Sequence, residues 1–161
     1  MYEAQKVRHG MSGPELLAAA HALTDGEPAP LANLANLAAL IFHGFSELNW
    51  AGFYLAADGV LVLGPFQGRP ACTRIPFSKG VCGLAARDKK TVIVADVHEF
   101  PDHIACDANS RSEIVVPLLS SAGTLIGVLD LDSPRTGRFG EPERHLCEEL
   151  AALAARWAAL V

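Results

Sequence analysis

The chain has 161 residues, of which 50% are hydrophobic and 19% charged, and a formal net charge of −5. That length suits one domain with a substantial core, and the apolar content excludes wholesale disorder. No window approaches the ~18 uninterrupted apolar residues of a membrane span. The first ten residues, which include Glu3, Lys6, Arg8 and His9, lack the apolar core of a secretory signal. Lys and Arg are scattered and form no basic stripe, so neither nucleic acid nor membrane is an expected partner, and the cytoplasm is the expected compartment.

Residues 1–12 read as an N-terminal arm and 13–161 as one domain. Ser12, Pro14 and Glu15 carry the signature of a capped helix start, and Asp25-Gly26 stops that helix. A second helix is expected from Pro30 to about residue 46, with Leu31, Leu34, Leu37, Leu40 and Ile41 at helical spacing. The period then changes. Trp50–Ala56 and Val60–Phe66 flank Ala57-Asp58-Gly59, a hairpin signal. A short strand is expected at 73–76, a short helix at 80–87 and a strand at 91–95. Residues 96–112 form a long polar segment with no period, of the kind that is functional when it occurs inside a compact domain. Glu113–Leu119 and Thr124–Leu131 read as a further strand pair. A last helix, from about 141 to 160, places Leu146, Leu150, Leu153, Trp157 and Leu160 on one face. Hairpin connections imply an α+β fold with a mainly antiparallel central sheet. The N- and C-terminal helices should cover one face, and the short helix and long loop should enclose a pocket on the other.

Four cysteines, Cys72, Cys82, Cys106 and Cys147, are separated by 10, 24 and 41 positions. No CxxC clip occurs, which disfavours a structural zinc site. Cys147 lies on the apolar side of the last helix and reads as packing. Cys106, beside His103 and Arg111, is a candidate nucleophile, because neighbouring cations stabilise a thiolate; the competing reading is a loop thiol without a role. Cys82 opens the short helix, where exposed N–H groups and the helix dipole lower a thiol pKa, or else it packs beneath that helix. His98, Asp102, His103 and Cys106 match no strong metal template. Asp130 and Asp132 share one strand face by their spacing, and Glu113 opens the neighbouring strand. Each is either a strand end meeting water or a pocket carboxylate able to donate a proton. Trp50 and Tyr54 share a face and belong either to the core or to the wall of a small-molecule pocket.

Several stretches resemble the free methionine-(R)-sulfoxide reductases, which are single GAF-domain enzymes. They are Leu63-Gly64-Pro65-Phe66-Gln67-Gly68, Pro70-Ala71-Cys72, Gly80-Val81-Cys82-Gly83, Asp96-Val97-His98, Phe100-Pro101 and His103-Ile104-Ala105-Cys106-Asp107. Ser110-Arg111-Ser112-Glu113-Ile114 and Gly127-Val128-Leu129-Asp130 complete the set, which covers roughly residues 14–160 in family order. The resemblance implies a GAF fold for 13–161 and reduction of free L-methionine (R)-sulfoxide to methionine. It makes Cys106 the nucleophile that becomes a sulfenic acid, Cys72 the resolving thiol and Cys82 a third thiol able to join disulfide exchange. Glu113 matches the acid near the sulfoxide oxygen. Asp130 and Asp132 match acids lining the site, one of them for the substrate ammonium, and Trp50 and Tyr54 match the aromatic wall at the methyl–sulfur end. It further implies thioredoxin as reductant, a homodimer, and no metal or organic cofactor. Two rivals predict no turnover: a GAF module sensing a small ligand, and a redox sensor using the Cys106–Cys72 bond. Sensors usually carry an output domain, for which a chain of this length has no room.

Overall fold

The structure, a computed structural model, describes residues 9–104 and 106–161. Residues 1–8, most of the expected arm, lie outside the described residues. The elements in chain order are α1 (Gly13–Thr24), α2 (Pro30–Gly44), β1 (Trp50–Ala57), β2 (Val60–Gly68), β3 (Arg74–Pro76), α3 (Gly80–Asp88), β4 (Val92–Val94), β5 (Ser112–Leu119), β6 (Leu125–Ser133) and α4 (Glu141–Ala158). A single 3-10 turn, Val97–Glu99, interrupts the segment between β4 and β5.

Local chemistry accounts for the boundaries. Ser12 caps α1 reciprocally with Glu15: the Ser12 N–H donates to the Glu15 carboxylate at 2.9 Å, and the Glu15 N–H donates to Ser12 Oγ at 3.4 Å. Asp58 and Gly59 both take positive φ, 48° and 80°, as a two-residue hairpin of the right twist requires. α2 ends two residues earlier than its periodicity suggests, where the Phe45 N–H closes on Ile41 O. Two expected stripe residues lie off the core. Leu31, in the first turn of α2, is 60% exposed, and Leu160, beyond the end of α4, is 66% exposed. At Leu160 the chain has already tightened, its N–H bonding Trp157 O, so the helical stripe no longer applies.

The six strands form one sheet in the order β3-β2-β1-β6-β5-β4, with every neighbouring pair antiparallel. α1, α2 and α4 pack on one face against Ala51, Phe53, Ile114, Val116, Leu118, Leu129 and Leu131. Cys147 is fully buried in that layer. α3 and the irregular segments cover the other face, against Trp50, Tyr54, Val115 and Val128. The two layers follow from period-two alternation along each strand. Among the described residues, no helix is long and apolar enough to cross a membrane.

Leu37, fully buried where α2 meets the sheet, tests the helical layer. Leu37→Ala is expected to lower the unfolding free energy by about 2–5 kcal/mol in a denaturant titration.

Candidate active site

Strand register builds the site. On β5, β6 and β1, Glu113 stands opposite Asp132 and Asp132 opposite Trp50. One row along, Val115 faces Asp130 and Asp130 faces Gly52. Two carboxylates and an indole thus align in one row, and a third carboxylate lies in the next. Gly52 leaves the space the indole needs: a Cβ there would lie 2.7 Å from Trp50 Cη2. The Trp50 ring is stacked between Tyr54, at 5.8 Å between centroids, and Phe66, at 5.4 Å.

The polar tips of these aromatics hold the segment that carries Cys72. Trp50 Nε1 donates to Arg69 O at 3.2 Å, and the Tyr54 hydroxyl donates to Cys72 O at 3.1 Å. The opposite rim is held by Asn49, whose side-chain amide donates to Asp107 Oδ2 and Ser110 Oγ, both at 3.0 Å. Arg111 pairs with Asp96 at 3.0 Å, tying the far end of the long segment back to its start. The two rims meet in a disulfide between Cys72 and Cys106, whose Cα atoms are 5.5 Å apart. Beneath it, Trp50, Tyr54, Cys82, Glu113, Asp130 and Asp132 share one pocket with both rims.

The floor of this pocket strongly disfavours negative charge. Glu113 and Asp130 are each 6% exposed. Burial, then the neighbouring Asp130 and Asp132 charges, push the Glu113 carboxyl well above the usual range. Burial raises Asp130 to about 7, against hydrogen bonds from Cys82 and Glu113 that pull it down. Asp132 is raised by burial and by Asp130. Burial likewise pushes the Tyr54 phenol upward. His103 Nε2 lies 3.9 Å from Glu113 Oε2, and burial holds its pKa below the ordinary value. At the exposed rim the sign reverses: the Arg111 guanidinium and the His98 N–H hold Asp96 at about 2.

One expectation for Cys82 requires correction. Of its two readings, a thiol pKa lowered by the first turn of α3 and packing beneath that helix, the structure bears out the packing: Cys82 is buried in the layer under α3. Its pKa is raised, by burial first and then by Asp130, Glu113 and Asp132. Three nearby acids in a dry setting outweigh a helix dipole worth at most ~2 kcal/mol. The thiol is 3.7 Å from Glu113 Oε1, to which it donates. The Arg111 guanidinium is engaged by Asp96 at 3.0 Å. The His98, Asp102, His103 and Cys106 set is not assembled as ligands: His98 Nδ1 sits 3.0 Å from Asp96, and Cys106 is bonded to Cys72. Among the described residues, the donor atoms that cluster are those of Cys82, Glu113 and Asp130, all within 4.8 Å of one another.

Glu113, Asp130, Asp132, Trp50, Tyr54, Cys82 and Cys106 therefore line one pocket, with Cys72 bonded to Cys106 at its rim, and for the buried Glu113 and Asp130 the reading as strand ends in water falls away. Sequence reasoning missed Asn49, Arg69 and Ser110. Asn49 precedes the first strand directly, a position from which a polar side chain can reach a neighbouring loop, and that was the one available signal.

The GAF domain family model matches residues 31–156. The chain is 50% identical over 132 residues to the free methionine-R-sulfoxide reductase of Escherichia coli, covering 82% of this chain and 79% of that protein. It is 44% identical over 146 residues to the enzyme of that name from Saccharomyces cerevisiae, covering 86% and 81%. The X-ray structure of free methionine-R-sulfoxide reductase from Neisseria meningitidis in complex with its substrate superposes with a TM-score of 0.86 at 46% identity, covering 91% of this chain and 88% of that one. With the pocket, the paired thiols and these likenesses together, the chain belongs to the free methionine-R-sulfoxide reductase family of GAF-domain proteins.

Proposed function

We propose that this protein reduces free L-methionine (R)-sulfoxide to methionine, with Cys106 as nucleophile and Cys72 as resolving thiol. The observation that carries the reading is the Cys72–Cys106 bond on the rim of a pocket floored by buried carboxylates. In the dithiol form, the Cys106 thiolate attacks the sulfoxide sulfur. Glu113, kept protonated by burial, gives its proton to the sulfoxide oxygen and makes the sulfur electrophilic. The sulfur–sulfur bond formed by that attack then breaks as the hydroxyl passes from the substrate sulfur to Cys106: methionine leaves with the electron pair, and Cys106 is left as a sulfenic acid. Attack by the Cys72 thiol expels that oxygen as water and closes the disulfide. Two electrons from an external dithiol, thioredoxin in this reading, reopen it.

The substrate is held at both ends. Trp50 and Tyr54 receive the methyl–sulfur end on their ring faces. Of Asp130 and Asp132, one takes the ammonium group and the other helps polarise the sulfoxide. Cys82 is a third thiol for disulfide exchange, slow to enter it because burial and the acids around it keep it protonated. The protein is read as a cytoplasmic homodimer, where a reducing compartment supplies the dithiol.

Turnover is measured as thioredoxin-dependent NADPH consumption with thioredoxin reductase, using both sulfoxide epimers, free and peptide-bound. Only the free (R)-epimer is expected to react; no turnover with any of them by fully reduced enzyme would favour a sensor. Cys106→Ser abolishes activity in this reading, whereas Cys72→Ser still yields one methionine per enzyme and fails only to recycle through thioredoxin. Glu113→Gln, which keeps the shape but has no carboxyl proton to give, is expected to lower kcat by about 100-fold or more, with less effect on KM.

A further inference from the structure

We propose that Cys82, Glu113 and Asp130 form a binding site for a thiophilic divalent cation, of the zinc or cadmium class, that shuts the pocket against substrate. Two separate observations carry it. The first is the donor set itself: one sulfur and two carboxylate oxygens, on α3, β5 and β6, all within 4.8 Å of one another. Tetrahedral zinc holds sulfur at ~2.3 Å and oxygen at ~2.1 Å, which sets a sulfur–oxygen edge of about 3.6 Å. Cys82 Sγ and Glu113 Oε1 are 3.7 Å apart.

The second observation is an orphan. Asp130 is 6% exposed, and its Oδ1 has no hydrogen-bond partner among the described residues. A buried carboxylate oxygen left unpaired costs free energy that a cation recovers. Asp130 lines the pocket, as do Cys82 and Glu113, so the cavity is both the entry path and the place of a fourth, open ligand position. On binding, the metal displaces the thiol proton and any proton on the two carboxyls, which are released to solvent.

This site differs in kind from an ammonium subsite, because sulfur coordination marks it. It also uses neither thiol of the Cys72–Cys106 pair, so the oxidised protein carries the complete donor set. That it inhibits rests on the reductase reading; that it binds does not.

The test uses the oxidised full-length protein without substrate, titrated with Cd2+. A thiolate-to-cadmium charge-transfer absorbance saturating at one Cd2+ per chain is expected. It persists in Cys147→Ala, since Cys147 lies in the other core layer. It disappears in Cys82→Ser, and Asp130→Asn and Glu113→Gln each weaken Cd2+ binding by about tenfold or more. Because each variant changes a different element, failure of one to fold leaves the others to decide. Absence of the band in folded wild type, or its survival in Cys82→Ser, overturns the proposal. In the coupled assay Zn2+ is expected to raise the apparent KM for the sulfoxide, reversibly on chelation, with thioredoxin reductase alone as control. Cd2+ binding without turnover would leave the metal site standing and sink the reductase reading; turnover without Cd2+ binding would do the reverse.

Discussion

The register of β1, β6 and β5 is the constraint on which the site depends. Trp50, Asp132 and Glu113 lie in one row only because those three strands are paired as they are. Side chains alternate between faces, so a slip of one residue would carry all of them to the helix-covered side. The same alternation prevents that slip. Phe53, Ile114, Leu129 and Leu131 occupy the other face and are fully buried under α1, α2 and α4. Burying a Leu or Phe side chain contributes ~1.5–3 kcal/mol each, so the helical core fixes the register. The chemistry on the opposite face follows from packing it does not touch.

That arrangement sets an electrostatic problem. Glu113 and Asp130 sit in a layer whose other buried side chains are aliphatic, aromatic or thiol, Val115, Val128, Leu61, Tyr54, Trp50 and Cys82 among them. Isolated buried carboxylates are costly, and the usual resolution is protonation. Asp130 rises to about 7 and Glu113 well above its ordinary value. The cluster is therefore a reservoir of protons held by desolvation, with one oxygen, Asp130 Oδ1, left without a partner among the described residues. Such a floor favours ligands that bring positive charge or that take a proton.

Much of the fold is legible from local pattern. The Ser12–Glu15 box, the Asp58-Gly59 turn and the period change at Trp50 each act within a few residues, so sequence displays them directly. The shared face of Asp130 and Asp132 is equally local. What sequence does not display is contact across long separations. Asn49 holds residues 58 and 61 positions away, and Trp50 and Tyr54 grip carbonyls 19 and 18 positions away. Backbone carbonyls have no residue identity, so nothing in the letters marks Arg69 O as a partner. The sign of the Cys82 shift was hidden for the same reason. The helix N-terminus is local and visible, while the three acids that outweigh it come from β5 and β6.

The contrast between Cys106 and Cys82 then follows from where charge can be tolerated. Cys106 is half-buried on a loop at the rim, within reach of Cys72. Cys82 is 4% exposed, with acids as its nearest polar neighbours. A thiolate there would sit in low dielectric beside groups that become anionic, so it stays a thiol and donates to Glu113. A thiol that cannot ionise alone is a poor nucleophile, however near the substrate it lies. A divalent cation changes this balance, because it supplies the positive charge that the surroundings lack. The features that silence Cys82 as a nucleophile — burial, and carboxylates at close range — are the ones that qualify it as a metal ligand.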